Sequence, residues 1–594
     1  MGSKPSPAEP TRPRSTSPAS AQSILLMSLV LLTLVITSLS LLKTNPTTGH
    51  WLQVYDPAGN WTLSTLLAAV PVIALLGAMA VLRLKAHIAA IIGLFAALIV
   101  ALAVYHMPLR LALTTAVYGA GYGLFPICWI ILPIIFLYQL TVKTGRFHTL
   151  QTSLTNITPD GRLQLLLIAF ALGAFLEGAG GFGAPVAVCG AILISLGFRP
   201  IQAAGLSLIA NTAPVAFGSL GIPILALHGV TGLDLQSLSR IIAVILVPFC
   251  LLVPFWLVAI YAGFRAMGEV WPALVVCGGV FATTEVLMAY FVGPGLVDIA
   301  AATATMFALI TFFRFWKPRR ILNARCQDIT AQLPVRTVQN SGTTFTAWLP
   351  WLTLSVVVFV WGIPPFAHWM DATTSVAFPV VGLHNIVQSI PPVSLLPAPE
   401  PAVFNFNWLG ASGTGIFVAA VLAGLLMGLS PFSLAKVFVE TIFNVRLTLL
   451  TIAAMLSLGY VMRYCGLDAT LGLAFARTGA LYPFFGTLIG WVGTATTGSD
   501  TASNVVFGSL QQVTAHQIGV SPVLMASANS AGGVMGKMIA APSIVVGSTA
   551  TGSYGQEGTI LRFVFWHSLA MAALMGIAVL LLAYVEPFKR LVPR

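Results

Sequence analysis

The sequence predicts an all-α polytopic membrane protein with about 12–15 transmembrane segments, because apolar runs of about 18 or more residues recur along the chain. Of its 594 residues, 57% are hydrophobic and only 7% are charged, whereas a soluble domain carries about 25% charged residues. The mean hydropathy is +0.93. Two polar, glycine-containing interruptions lie inside such runs, and they predict two re-entrant or broken-helix motifs.

The chain opens with a polar segment at residues 1–22, whose composition is typical of a disordered tail. The apolar run at 23–42 is too long for the core of a signal peptide and predicts a retained span. Further apolar segments, two of them next to or around the interruptions, are found at 62–82, 87–105, 111–141, 163–198, 201–227, 239–264, 269–291, 296–316, 346–363, 411–430, 445–462, 467–497, 522–548 and 561–584.

The charges divide the chain into two transmembrane halves, 23–316 and 346–594. The segment between them, 317–345, is polar and rich in arginine, which predicts a cytoplasmic linker. Residues 364–410 contain no lysine or arginine, so we expect an external loop there. The net charge of +12 is spread over short loops between apolar runs. No basic stripe or aromatic platform accompanies it, which excludes a nucleic-acid partner.

The first interruption, called here the first break, is residues 175–185. It places the acid Glu177 and several glycines, Gly181 and Gly183 among them, before Pro185 within an apolar run. A carboxylate in a bilayer costs roughly 2.5–3.5 kcal/mol on insertion scales. Broken backbone is tolerated in a membrane only where it is buried in protein or lines a cavity.

The second break, residues 498–504, lies far down the chain and contains Asp500 with Ser499, Thr501 and Asn504. Polar breaks in both halves are typical of the substrate site of a secondary transporter. We therefore expect the two breaks to meet and to form one solvated site for a small substrate.

A similar order of residues follows each break. A Gly-x-x-Pro corner ends at Pro200 in the first half and at Pro522 in the second, each about twenty residues after the acid. Asn211–Thr212 and Asn529–Ser530 then place an asparagine beside a hydroxyl group. This order predicts an internal repeat, which we expect to be inverted about the membrane plane.

Three intramembrane acids are candidates for proton coupling. Glu177 either caps a helix end near the surface or carries a proton, and intramembrane acids are functional by default. Asp500 with Ser499 is also compatible with an ordinary helix N-cap, which would itself create an anion site. Glu285 is compatible with a structural pair with a base as well as with a proton path.

Lys537 is the only base in the segment 522–548. It either extends to the membrane interface or serves as the counter-ion of a substrate carboxylate. The predicted substrate-binding set combines this base with backbone at two glycines and with neutral donors near the breaks. Its members are Gly181, Gly183, Asn211, Thr212, Ser499, Thr501, Asn504, Asn529, Ser530 and Lys537.

Other kinds of function lack their residue patterns. The six cysteines are scattered and form no CxxC pair, and no HExxH motif is present, so we predict neither a metal nor a cofactor. Without paired aspartates or a Ser–His pair at the breaks, an intramembrane enzyme is disfavoured.

Four blocks of the sequence resemble the L-lactate permease family of bacteria: residues 175–187, 211–223, 497–511 and 529–538. The resemblance covers about residues 60–585, with departures at Gly180 and at 539–543, the latter near the expected site. It implies a multi-pass protein of the bacterial inner membrane, whose partners are a small monocarboxylate, a proton and membrane lipid. It also implies import of L-lactate, D-lactate or glycolate by proton symport. The residues alone leave a sodium-coupled carrier and a dicarboxylate carrier open as alternatives.

Overall fold

The computed structural model describes residues 49–80, 82, 84–149, 157–179, 183–330, 341–362, 364–394, 397–553 and 556–593. The predicted tail at 1–22, the predicted span at 23–42 and Gly181 lie outside these residues. The described part of the chain is mostly helical, as expected for the fold class.

The first half begins with a short strand and continues as helices of very different lengths. They are β1 (Trp51–Leu52), α1 (Trp61–Ala80), α2 (Ala86–Ala103), α3 (Leu109–Tyr122), α4 (Trp129–Lys143), α5 (Gly161–Leu165), α6 (Gly173–Ala179), α7 (Ala184–Ser195), α8 (Pro200–Ala210), α9 (Gly218–Thr231), α10 (Leu235–Ala262), α11 (Phe264–Glu269), α12 (Trp271–Phe291) and α13 (Val297–Phe315). A π-helical segment, Leu166–Leu172, joins α5 to α6. Another, Gly123–Cys128, joins α3 to α4 with a kink at Phe125, just before Pro126.

The second half contains ten helices and four short strands among the described residues. They are α14 (Ser341–Gly362), α15 (Pro364–Thr374), β2 (Val376–Pro379), β3 (Val387–Ser389), β4 (Ala398–Pro399), β5 (Val403–Phe406), α16 (Ser412–Leu426), α17 (Pro431–Cys465), α18 (Leu467–Phe475), α19 (Tyr482–Thr497), α20 (Asp500–Ile518), α21 (Pro522–Gly536), α22 (Ala541–Ala550) and α23 (Glu557–Tyr584).

Within the described residues, nine helices are long and apolar enough to cross a membrane, or up to eleven if each of two bent pairs counts as one span. This count is lower than the 12–15 segments expected for the whole chain. Part of the difference is the run at 23–42, which lies outside the described residues. Another part is the run at 467–497, which folds as two shorter helices, α18 and α19.

The segment expected to be a plain external loop, 364–410, has secondary structure of its own. It contains α15 and four strands, of which β3 pairs in parallel with β1 and β2 pairs with β5. An ion pair of 3.2 Å between Glu400 and Arg463 fixes this segment to the end of α17. These short strands were not predicted, because no hydrophobic run marks them, while the described chain is otherwise mostly helical as the predicted fold class requires.

The same order of elements follows both breaks. After the first break, α7 ends near Gly197 and α8 begins at Pro200, and the chain then bends by 65° into the segment Val215–Thr231. After the second break, α20 leads to α21, which begins at Pro522, and the bend before α22 is 42°. Proline suits the first helical turn because its missing N–H has no partner to lose there. That the two units are inverted relative to each other stays a prediction.

Candidate functional site

A cavity of about 360 Å³ lies where the two breaks meet. Two of the three predicted acids, Glu177 and Asp500, line it. Of the remaining predicted residues, the cavity is lined by Gly183, Ser499, Thr501 and Lys537. Another part of the lining belongs to α17, through Thr448, Thr451 and Met455 among others. The structure thus brings the two distant breaks together at one site.

Glu177 lies at the end of α6 and is 4% exposed. Nδ2 of Asn211 donates a hydrogen bond to Oε2 of Glu177 at 3.1 Å. The other carboxyl oxygen packs on Gly218, where a Cβ would lie 3.0 Å from Oε1. The bend between α8 and α9 therefore supplies both a donor and a close-fitting backbone surface for this acid.

Asp500 is the first residue of α20 and is 3% exposed. Ser499, the N-cap of this helix, accepts a hydrogen bond from the backbone N–H of Ala502 through Oγ at 3.3 Å. Oγ of Ser530 donates to Oδ2 of Asp500 at 2.6 Å, and Oγ1 of Thr494 donates to Oδ1 at 3.3 Å. The hydroxyl groups of α19 and α21 thus hold the acid at the cavity wall.

Amide side chains form a buried network behind Asp500. Nδ2 of Asn504 donates to Oγ of Ser530 at 3.1 Å and to the carbonyl of Pro223 at 3.1 Å. Nδ2 of Asn529 donates to Oδ1 of Asn504 at 2.9 Å, and Nε2 of Gln511 donates to Oδ1 of Asn529 at 3.2 Å. Through Pro223, this network connects the second break to the bent segment of the first half.

Lys537 lies at the bend between α21 and α22 and is partly buried. Its Nζ donates to the carbonyl oxygen of Gly498 at 2.8 Å. Lys537 also lies within electrostatic range of both Glu177 and Asp500. The lysine therefore lines the cavity together with both acids, which is the position that the counter-ion interpretation requires.

Helix N-termini from both halves also reach the cavity. Gly183, with a φ of 86°, is the N-cap of α7, and Ser499 is the N-cap of α20. The first turn of α22 contributes Pro542 and Ser543 to the lining. Because the unpaired N–H groups of a helix N-terminus carry partial positive charge, several such ends beside a lysine favour an anionic ligand.

Several predicted substrate-binding residues are not part of the cavity wall. Asn211 contacts Glu177, and Oγ1 of Thr212 donates to the carbonyl of Ile209 at 2.7 Å. Asn504, Asn529 and Ser530 are fully buried behind Asp500. These five side chains hold the acids and the bends in place one layer behind the cavity.

Glu285 lies apart from this site. It is 1% exposed in α12, and Sγ of Cys250 donates to its Oε2 at 2.8 Å. Its hydrogen-bond partner among the described residues is thus a thiol on α10 rather than the base that the structural interpretation required.

Sequence reasoning missed Gly218 and Ser219, which line the cavity. Ser219 and Leu220 have φ values of 46° and 61°, a left-handed conformation that is uncommon outside glycine. Strain of this kind clusters at binding sites. Gly218 and Gly221 flank the pair and were a usable signal, because glycines cluster where backbone approaches a ligand closely.

The geometry defines a membrane transport protein: two broken helices enclose a small cavity with charged groups inside a bundle of apolar spans.

Among the described residues, no group of three or more His, Cys, Asp or Glu side chains is placed to hold a metal ion.

Comparison with known proteins gives the family. The sequence model of the L-lactate permease family matches residues 64–586, and the chain belongs to this family. It is thus a permease and not an enzyme. The glycolate permease GlcA of Escherichia coli (strain K12) is 43% identical over 90% of this chain and 98% of its own length. The L-lactate permease of the same strain is 42% identical over the same shares, 90% and 98%.

Among solved structures, the YdaH transporter of Alcanivorax borkumensis aligns with 80% of this chain and 88% of its own. Its TM-score is 0.42 and its sequence identity is 12%, too low to bear on function.

Proposed function

We propose that this permease imports L-lactate and related 2-hydroxymonocarboxylates, D-lactate and glycolate, across the bacterial inner membrane together with a proton. Family membership supports the substrate class. The similar identities to a glycolate permease and to an L-lactate permease, 43% and 42%, support a site that accepts both acids.

The observation that carries the proposal is the pair of acids, Glu177 and Asp500, in one small cavity with Lys537. When all three groups are ionised, their charges sum to one negative charge, and this net charge repels a monocarboxylate. Protonation of one acid makes the sum zero, and protonation of both makes it positive. An anion therefore binds well only when a proton is bound too, which is the physical requirement of symport.

The cavity also suggests how the substrate is held. Lys537 and the N-terminus of α20 both line the cavity, and their positive charge supports a role in binding the substrate carboxylate. Thr501, Ser219 and Ser543 line the same cavity, and we propose that their hydroxyl groups bind the 2-hydroxyl group of the substrate. Asn211 and Asn529, which the sequence predicted to bind substrate, have no part in this contact because they are not in the cavity lining.

The volume suits this class of ligand. Pockets for drug-sized molecules measure about 300–1,000 Å³, and this one, at about 360 Å³, is near the lower end. Lys537 is the only lysine or arginine in the described lining, whereas a dicarboxylate would favour two such bases.

The test is uptake of labelled L-lactate by the purified protein in liposomes with an imposed pH gradient, acidic outside. We expect accumulation above equilibrium, collapse by a protonophore, and competition by glycolate and D-lactate but not by succinate. A sodium gradient alone should have no effect. Accumulation driven by sodium, or competition by succinate as strong as that by glycolate, would contradict the proposal.

A further inference from the structure

Another buried acid, Asp298, lies behind the first break and outside the cavity lining. It is in the first turn of α13 and is 2% exposed. Among the described residues, neither of its carboxyl oxygens has a hydrogen-bond partner. A buried carboxyl group without donors or a counter-ion is strongly unfavourable when ionised. In this conformation the group is therefore neutral, which means that it binds a proton.

The neighbours of Asp298 are further acids. Glu177 of α6 and Glu285 of α12 both act on it electrostatically, and Cys250 of α10 lies close enough to be affected by it. Oε1 of Glu285 is likewise buried without a partner among the described residues. His228 of α9 is engaged elsewhere, with Nδ1 at 2.6 Å from the carbonyl of Leu233.

The backbone of the first break connects Asp298 to the cavity. Gly178 follows Glu177 directly, and a Cβ on Gly178 would lie 2.6 Å from Cβ of Asp298. The break thus faces the cavity on one side, through Glu177 and Gly183, and Asp298 on the other. Any rearrangement of the break during transport changes the surroundings of both acids at once.

We propose that Asp298 binds and releases a second proton in each transport cycle, by way of Glu177, so that two protons accompany each monocarboxylate anion. The proton leaves the Asp298 carboxyl O–H and reaches an ionised Glu177 carboxylate, and no other bond changes. The inference rests on the proposed function and adds its stoichiometry. An anion with one proton crosses without net charge, whereas an anion with two protons carries one positive charge inward.

The experiment measures how the membrane potential alone affects L-lactate accumulation in liposomes. A potassium diffusion potential of about 100 mV, negative inside, raises the equilibrium accumulation ratio about 50-fold if one net positive charge enters with each L-lactate. We expect this in the wild-type protein without any pH gradient. Asp298→Asn should lose the response to potential and keep accumulation driven by a pH gradient. Asp328→Asn is the control and should behave as wild type. Asp328 lies on the linker, where its carboxylate accepts hydrogen bonds from Thr330 and Arg320.

Exchange of labelled for unlabelled L-lactate, without gradients, separates the possible failures. If the wild-type protein does not exchange L-lactate, the proposed function fails. If it exchanges but its accumulation ignores the potential, only the second proton is refuted. Asp298→Asn with an unchanged response to potential would also overturn the inference.

If Asp298→Asn does not exchange, the smaller variant Asp298→Ser is measured in the same way. The number of protons that enter the liposomes with each L-lactate gives a second count, measured from the internal pH change as L-lactate flows down its own gradient with the membrane potential clamped at zero. That count should be two in wild type and one in either variant, and a wild-type count of one would overturn the inference.

Discussion

Asp500 packs its carboxyl group directly on the backbone of Gly533, and a Cβ at position 533 would overlap Oδ1 of Asp500. The same Cβ would lie 2.6 Å from Oγ1 of Thr494. Glu177 is packed on Gly218 in the first half in a similar way. Each cavity acid is thus fitted against a glycine on a neighbouring element, which fixes its position more tightly than hydrogen bonds alone.

Gly533→Ala should therefore displace Asp500 and reduce transport at least tenfold, because overpacking of a tight core costs about 1–3 kcal/mol. The measurement is the initial rate of L-lactate exchange in liposomes, at matched protein incorporation. Gly279→Ala is the control, since no atom lies within 4 Å of a Cβ built there. Equal rates for the two variants would show that the packing of Asp500 is unimportant.

Glu177→Gln should abolish uphill uptake while exchange of substrate survives. Glutamine keeps the size of the side chain and can still pair with Asn211, but it cannot gain or lose a proton. Uptake against a gradient and exchange at equilibrium are measured on the same liposomes. Full proton-driven accumulation by this variant would remove Glu177 from the coupling role.

Lys537→Gln should raise the KM for L-lactate about ten- to a hundredfold, since hydrogen bonds to charged groups contribute about 1.5–3 kcal/mol. The reason is that Lys537 is the only lysine or arginine in the described lining of the cavity that holds both acids. Lys436→Gln, at an exposed position of α17, is the matched control and should leave KM unchanged. An unchanged KM in Lys537→Gln would mean that the substrate carboxylate binds elsewhere.

Asn504→Ala should lower stability by about 1–3 kcal/mol, because the buried groups it leaves behind lose their partners. Oδ1 of Asn504 accepts from Asn529, and its Nδ2 reaches Ser530 and Pro223. Thermal unfolding in detergent measures the effect. Asn405→Ala, at an exposed position of β5, is the control, and a comparable loss there would argue against a special role of the network.

The sequence predicted the parts of the fold that depend on hydrophobic length and on backbone chemistry. Helices such as α1, α2 and α23 follow uninterrupted apolar runs and start or end within a few residues of the expected bounds. Both breaks were visible because an acid among glycines is costly in a bilayer. The strands β2 to β5 were not predicted, since they are short and form only by pairing with each other or with β1.

The sequence also predicted the acids of the site better than its wall. Glu177, Asp500 and Lys537 stand out as charges in apolar segments, whereas Asn211 and Asn529 were expected to contact substrate and lie behind the acids instead. Periodicity cannot distinguish these two layers, because both face the interior of the bundle. Asp298 was missed because it follows a Gly-Pro-Gly corner that resembles a loop, although the fold buries it against Gly178.

The central claim is that a small monocarboxylate binds in the cavity between the two breaks. It is tested most directly by substrate protection of a cysteine placed there, Thr501→Cys, in a background with the exposed Cys326 changed to serine. The account predicts that L-lactate, at concentrations that saturate transport, slows modification of this cysteine by a small thiol reagent. Modification of Cys326 in the wild-type protein should not change. An unchanged modification rate at position 501 with transport saturated would contradict the account.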